Sequence, residues 1–403
     1  MIISFLNCLV TLLASPAIQL EDAEASFVNG KRYAEVGNHK DALPAFMKAK
    51  ELQPGVAKYR YWLGRTLANL SQPALAELRE AVKIDPKNAE YQHATGLYLA
   101  GNEQFVDAIP YFAEAAAISE KKARYQFDLG VAFFKIGHYA LAAERLRAAI
   151  AEDPEEADQY YWLALAQRAS NKIPESVLSF KDALRLKPES ALLHYSLGAA
   201  YCDLGAWPEA ALSFQKATEL NAQVPQYYIA LGVAYLNVAE LDGAMTALWK
   251  ALKLNDSAEA THMIGQVLFA KRNLPDAELY FHNAAKKDPQ HVYLYWLGIT
   301  QLSQNKFESA AVSLQAAVDI NKTNSVYNHD LGITYEKLNR IDDAMACFKA
   351  SIVDSKNGLY FAEFAAFLLR QGDKAGAMVQ AKMAISLKYS NHPVFRKLGV
   401  DIN

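Results

Sequence analysis

Cysteine is scarce in this chain: Cys8, Cys202 and Cys347 are the only three among 403 residues. Such scarcity fits an oxidising or a reducing compartment equally. An excess of either charge is also lacking. The 41 lysines and arginines are set against 44 acids, for a net charge of −3. A nucleic-acid surface or an anionic-membrane surface needs a basic stripe, so neither partner is expected. Long apolar runs are missing too. The longest, Ile2 to Ala14, is thirteen residues interrupted by polar ones, too short to span a bilayer. Catalytic and cofactor signatures are absent: there is no phosphate loop, no HExxH and no CxxC. The nine histidines are scattered, with no two spaced four apart on one helix as a zinc pair would be. The acids Asp153, Glu155 and Glu156 flank a helix start, where they suit the dipole. No enzyme, cofactor or metal is expected.

What the chain does have is a period, and a period takes precedence over every other reading. The stretch Ser190 to Tyr201, with its continuation to Leu220, recurs along the sequence. A small residue anchors each copy: Gly30, Gly64, Gly96, Gly130, Ala164, Gly198, Gly232, Gly265, Gly298, Gly332 and Ala365. The steps between anchors run from 32 to 34 residues. Twelve residues after most anchors stands a small residue, as at Ala42, Ser176 and Ala277. Four further on comes a large apolar one, as at Phe46, Phe180 and Phe281. Another alanine follows three later, and Pro54, Pro86, Pro154, Pro188 and Pro289 close five copies.

Helical packing accounts for these choices. Glycine inside a helix costs about 1 kcal/mol relative to alanine. Repeating that cost at one register implies a close helix crossing. The small residue twelve later supplies the facing surface, and the large residue one turn on fills the space beside it. Seven past the anchor stand Gly37, Gly137, Asn171, Gly205, Asn305, Asn339 and Gly372, which tolerate a left-handed helix end. Pro174, Pro208 and Pro275 are then expected at the first position of the following helix.

A helix–turn–helix of 34 residues with Leu-Gly, Ala, Phe, Ala and Pro in this order resembles the tetratricopeptide repeat family. The resemblance runs from Ala23 to about Tyr389 in eleven copies. It implies an all-α fold, a right-handed superhelical solenoid of about eleven repeats over residues 18–390. The family's Trp four before the Gly is missing here. Tyr stands five before the anchor instead, at Tyr59, Tyr91, Tyr125, Tyr227, Tyr293, Tyr327 and Tyr360, and is expected to pack between repeats. Cys202 and Cys347, more than four repeats apart, are not expected to meet.

Residues 1–17 lie outside the period. Their apolar run ends in Ser15-Pro16-Ala17, small residues suited to a cut ahead of Ile18, which reads as a secretory signal. No lysine or arginine precedes Lys31, so an N-terminal capping helix is the competing reading. Export to a periplasmic or extracellular space follows from the first reading, a cytoplasmic location from the second. At the other end, Pro393 breaks the last helix, and residues 391–403 are expected to cap the stack.

The resemblance also implies where a partner would sit. In the family the first helix of each repeat lines a concave face, and the residue three before the Gly points into it. Carried over, these positions include Phe27, Tyr61, His93, Phe127, Tyr161, Tyr195, Ile229, His262, Tyr295 and His329. Beside them stand Trp62, Trp162 and Trp296, two before the anchor, and Lys31 and Arg65, one after it. The candidates for contact with a protein or peptide are Tyr61, Trp62, Arg65, Phe127, Tyr161, Trp162, Tyr195, His262, Tyr295 and His329. Aromatic rings at this spacing equally suit packing along the inner wall. No copy has the asparagine after the Gly that chaperone-binding members use, nor the asparagine ladder of sugar-transferring members. A binding scaffold is the expected function. A structural part in an envelope or secretion assembly and an accessory subunit of an enzyme on another chain are the alternatives.

Overall fold

Small residues at fixed register let neighbouring helices approach closely, and the result is a chain made of helix hairpins. The computed structural model describes residues 16–119 and 122–400, with the side chains of residues 16–19 left aside. Among these residues there are twenty-three helices and no strand. The chain falls into two compact units, one ending at Gly205 and one starting at Ala206.

The first unit holds α1 (Pro16–Glu35), α2 (His39–Leu52), α3 (Ala57–Asn69), α4 (Leu75–Ile84), α5 (Ala89–Gly101) and α6 (Phe105–Ile118). It continues through α7 (Ala123–Lys135), α8 (Tyr139–Glu152), α9 (Ala157–Ala169), α10 (Ile173–Leu186) and α11 (Ala191–Asp203). The second holds α12 (Trp207–Leu220), α13 (Pro225–Asn237), α14 (Leu241–Leu254), α15 (Ala258–Ala270), α16 (Leu274–Lys287) and α17 (His291–Ser303). Then follow α18 (Phe307–Ile320), α19 (Ser325–Lys337), α20 (Ile341–Ser351), α21 (Gly358–Arg370), α22 (Lys374–Ser386) and α23 (Pro393–Leu398). Repeat spacing alone gives no sign of a division at Gly205.

Within each unit a helix carrying an anchor packs against the helix that follows it. The small residues twelve past the anchors and the large ones four beyond them form the core: Ala42, Phe46, Ala142, Leu146, Ala277 and Phe281 are fully buried. The crossing is tight at the anchors. A methyl group added to Gly298 would lie 2.6 Å from Cγ of the buried Leu314. The last hairpin solves the crossing differently: its anchor is Ala365, and the position sixteen on is Ala381 rather than a large residue.

All eleven residues seven past an anchor have positive φ. Seven are the Gly and Asn residues the sequence singles out, and the other four are Ser71, Glu103, Ala239 and Arg272. Two details differ from expectation. Pro174, Pro208 and Pro275 take the second helical position, because each helix opens one residue earlier, at Ile173, Trp207 and Leu274. Helix α1 begins at Pro16, seven residues before Ala23, so a cut ahead of Ile18 would fall in its first turn. The rest of the expected leader, residues 1–15, lies outside the described residues. At the far end α23 buries Val394, Phe395 and Leu398 and leaves Arg396 and Lys397 exposed, then stops at Gly399 in the left-handed conformation.

Candidate protein-binding face

The anchor-bearing helices present rings and charges at registers fixed by the anchor, so each class of residue meets the same class one repeat away. The tyrosines five before the anchors cover the rings three before the previous anchors. Ring centroids are 5.1 Å apart for Phe27–Tyr59, 4.7 Å for Tyr61–Tyr91 and 4.6 Å for His93–Tyr125. In the second unit they are 4.6 Å for His262–Tyr293, 4.6 Å for Tyr295–Tyr327 and 4.7 Å for His329–Tyr360. Aromatic pairs in such geometry contribute beyond their buried area.

Burial separates the ten candidates. His262, Tyr61 and His329 are only 1%, 4% and 7% exposed. They are wall residues held between repeats, and they present little surface to a partner. Burial pushes the His262 ring down to about 4, and neither of its nitrogens has a hydrogen-bond partner among the described residues. Tyr61 is raised to about 12, first by burial, with Glu90 beside it adding to the effect and Arg65 opposing it. Trp62, Phe127, Tyr161, Trp162, Tyr195 and Tyr295 are half-buried, and Arg65 is exposed.

Phe127 and Tyr161 escape the covering tyrosine for a reason written in the chain. Five before the next anchor stand Gln159 and Leu193 instead. Tyr161 leans on Trp162 at 5.9 Å and on Phe180 at 6.1 Å. Burial raises its pKa, with Ser196 near its hydroxyl acting in the opposite direction.

A polar ladder runs beside the rings, at positions that the residue pattern of the repeat does not mark. His93 Nε2 lies 2.6 Å from Asp128, and the Tyr295 hydroxyl donates to Asp330 at 2.7 Å. Both pairs join residues 35 apart. Residues 34 apart make ion pairs: Lys58 Nζ to Glu24 at 2.7 Å, and Arg124 to Glu90. Burial works against the charge on Glu90, but Arg124 with the Tyr125 and Tyr61 hydroxyls outweighs it and holds the carboxyl below its ordinary range. A partner at the repeat period, offset by one, is the signal that would have found this ladder. Cations also lie on the indoles: Lys31 Nζ is 5.4 Å and Arg65 Cζ 5.1 Å from the Trp62 ring, and Lys135 Nζ is 5.4 Å from that of Trp162.

No group of three or more histidine, cysteine, aspartate or glutamate residues that could hold a metal ion occurs among the described residues. No helix there is long and apolar enough to cross a membrane.

The family model described as tetratricopeptide repeat matches residues 27–89, 93–157, 127–191, 163–228 and 262–325, and a second of the same description matches 326–352. The chain belongs to the tetratricopeptide repeat family, a family of protein-interaction scaffolds, and it has that all-α fold. Among solved structures it is similar to the one titled as the APC/C hetero-tetramer Cut9–Hcn1, at 15% identity over 94% of this chain and 89% of that one, with a TM-score of 0.48. It is similar to yeast Tom70 at 14% identity over 94% of each chain, with a TM-score of 0.48. It is also similar to YrrB, titled a TPR protein with an unusual peptide-binding site, at 25% identity over 47% of this chain and 98% of that one, with a TM-score of 0.39. No curated protein matches the chain in sequence.

Proposed function

We propose that this chain is a non-catalytic adaptor that holds an extended peptide or a helix of a partner along the anchor-helix face of its first unit. The observation that carries the proposal is the gap in the ring stacking at Phe127 and Tyr161. Phe127 and Tyr161 are half-buried with no tyrosine stacked over them, and such rings offer the aromatic surface that anchors partners. Tyr161, Trp162 and Tyr195 form the centre of that surface, with Leu165 and Ala199 one residue past the two anchors.

The test is selection of peptides from a display library on the purified chain. Replacing Tyr161 and Tyr195 together by alanine should weaken the selected peptides about thirtyfold, on the order of 2 kcal/mol. The melting temperature should stay nearly unchanged. Collapse of stability with unaltered binding would return both rings to the wall.

A second reading, a structural part in a larger assembly, rests on a cleft in the second unit. There Val312 is 73% exposed, and the cleft of about 640 Å³ is lined also by His282, Leu294, Leu297 and Ala316. Substitutions on the anchor-helix face would spare that role. The leader reading belongs to the same proposal: the protein is exported, and sequencing of the chain recovered from its own cell should give Ile18 as the first residue. An intact Met1 would favour the N-terminal cap and a cytoplasmic location.

A further inference from the structure

We infer that the anchor-helix face of the first unit is built for an acidic segment of a partner, with side-chain carboxylates meeting Arg65 and Lys135 and apolar side chains between them. The inference rests on the binding face proposed above and names the chemistry of its occupant.

The charge inventory of that face is lopsided in a specific way. The anchor-bearing helices of that unit carry eight carboxylates; Glu21 and Asp22 lie near the start of α1, and the six beyond them are all engaged. Glu24 pairs with Lys58, Glu35 with Lys31, Glu90 with Arg124, Asp128 with His93, Asp158 with Lys187 and Asp203 with Arg168. Of the three cations seated on indoles, Lys31 is the one paired with an acid, and Arg65 and Lys135 are left over. Among the described residues no carboxylate lies within ion-pair distance of Arg65 or Lys135. Arg65 has a hydrogen bond to the neutral Tyr61 hydroxyl at 3.1 Å, and both cations are exposed.

Each left-over cation is seated on an indole, Arg65 on Trp62 and Lys135 on Trp162. A cation over a ring face keeps its charge but loses freedom, so it meets an incoming anion already in place. Between the two seats, one residue past their anchors, stand Leu97, 46% exposed, and the half-buried Val131. The order is therefore cation, apolar, cation. A segment with acids separated by apolar side chains matches it. A nucleic-acid backbone does not, because its unbroken row of phosphates would meet apolar side chains and the engaged carboxylates.

Fluorescence anisotropy on the full chain tests this with four labelled probes. They are a peptide of alternating glutamate and leucine, its glutamine and lysine counterparts, and a single-stranded DNA oligonucleotide. The glutamate peptide should bind, and its affinity should fall as salt rises, because exposed charges are screened. Arg65→Glu with Lys135→Glu should weaken it at least about tenfold without changing the helical signal or the melting temperature. Arg65→Gln with Lys135→Gln should weaken it less. Equal binding of the glutamine or lysine peptide, no binding of the glutamate peptide, or tighter binding of the oligonucleotide overturns the inference. So does self-association of the chain that the double charge reversal abolishes, which would assign the face to a second copy.

The two proposals fail separately. If the glutamine peptide binds as well as the acidic one and needs Tyr161 and Tyr195, the groove stands and the acidic occupant falls. If the acidic peptide needs Arg65 and Lys135 but neither tyrosine, the acidic occupant stands and the aromatic centre falls.

Discussion

Phe281→Ala should cost the second unit about 3–5 kcal/mol, measured as the shift of its denaturant midpoint. The ring is fully buried, with Trp296 stacked on it at 5.8 Å and His262 tilted against it at 5.2 Å. Truncation leaves a cavity walled by Gly265, Trp296 and His262, on a helix crossing that cannot close up without moving α15 against α16. The loss should reach His262 as well. That ring is neutral in the fold, with its pKa held near 4 by burial, below the ordinary value of 6.5. A base with a lowered folded pKa gives stability that is complete above about pH 6.5 and drains away as the pH falls towards 4. With Phe281 removed, His262 is better solvated, so the acid sensitivity of the variant across that window should be smaller than in the parent. An unchanged slope of stability with pH would mean that Phe281 does not keep water from His262.

Gly298→Leu should cost about 3 kcal/mol or more, because its first methylene already collides with Leu314 Cγ at 2.6 Å and with the Leu314 backbone nitrogen at 3.1 Å. Alanine at the same place is the finer experiment. Its better helix propensity returns about 1 kcal/mol, while overpacking costs about 1–3 kcal/mol, so Gly298→Ala should be net destabilising. The equivalent Gly332→Ala should be close to neutral, since the nearest atom there, Phe348 Cδ1, is 3.2 Å away and has less distance to give. The pair Ala365 and Ala381 indicates the remedy. Leu314→Ala should suppress much of the harm of Gly298→Ala, and a double-mutant cycle reads that coupling directly. Equal melting shifts at Gly298 and Gly332 would show that the crossings are alike after all.

Much of the fold is written in the spacing, because a close crossing demands a small residue and a filled core demands a large one at fixed helical offsets. The turns are legible only where the residue advertises its conformation. Gly37 and Asn171 do, whereas Ser71, Glu103, Ala239 and Arg272 take the same positive φ because the two helices on either side leave no other path. The binding face is less legible. The ring three before an anchor is visible in the chain, but its exposure is decided in the next repeat, by Tyr293 over His262 or by Leu193 beyond Tyr161. Lys135 is not legible as a binding residue because it sits five past its anchor and reaches the next repeat through Trp162, a register that the family pattern does not mark.

Among the described residues, the main helix contacts in each unit join neighbours, or next neighbours, along the chain. Almost no entropy is therefore spent closing long loops on the way to the folded state, and low contact order of this kind goes with rapid folding. Any hairpin whose crossing forms first serves as a template for the next, so assembly proceeds by growth rather than by one concerted collapse. The same locality works in reverse. Amide protons near an outer hairpin exchange by local opening, while those midway along a unit wait for the loss of several interfaces at once.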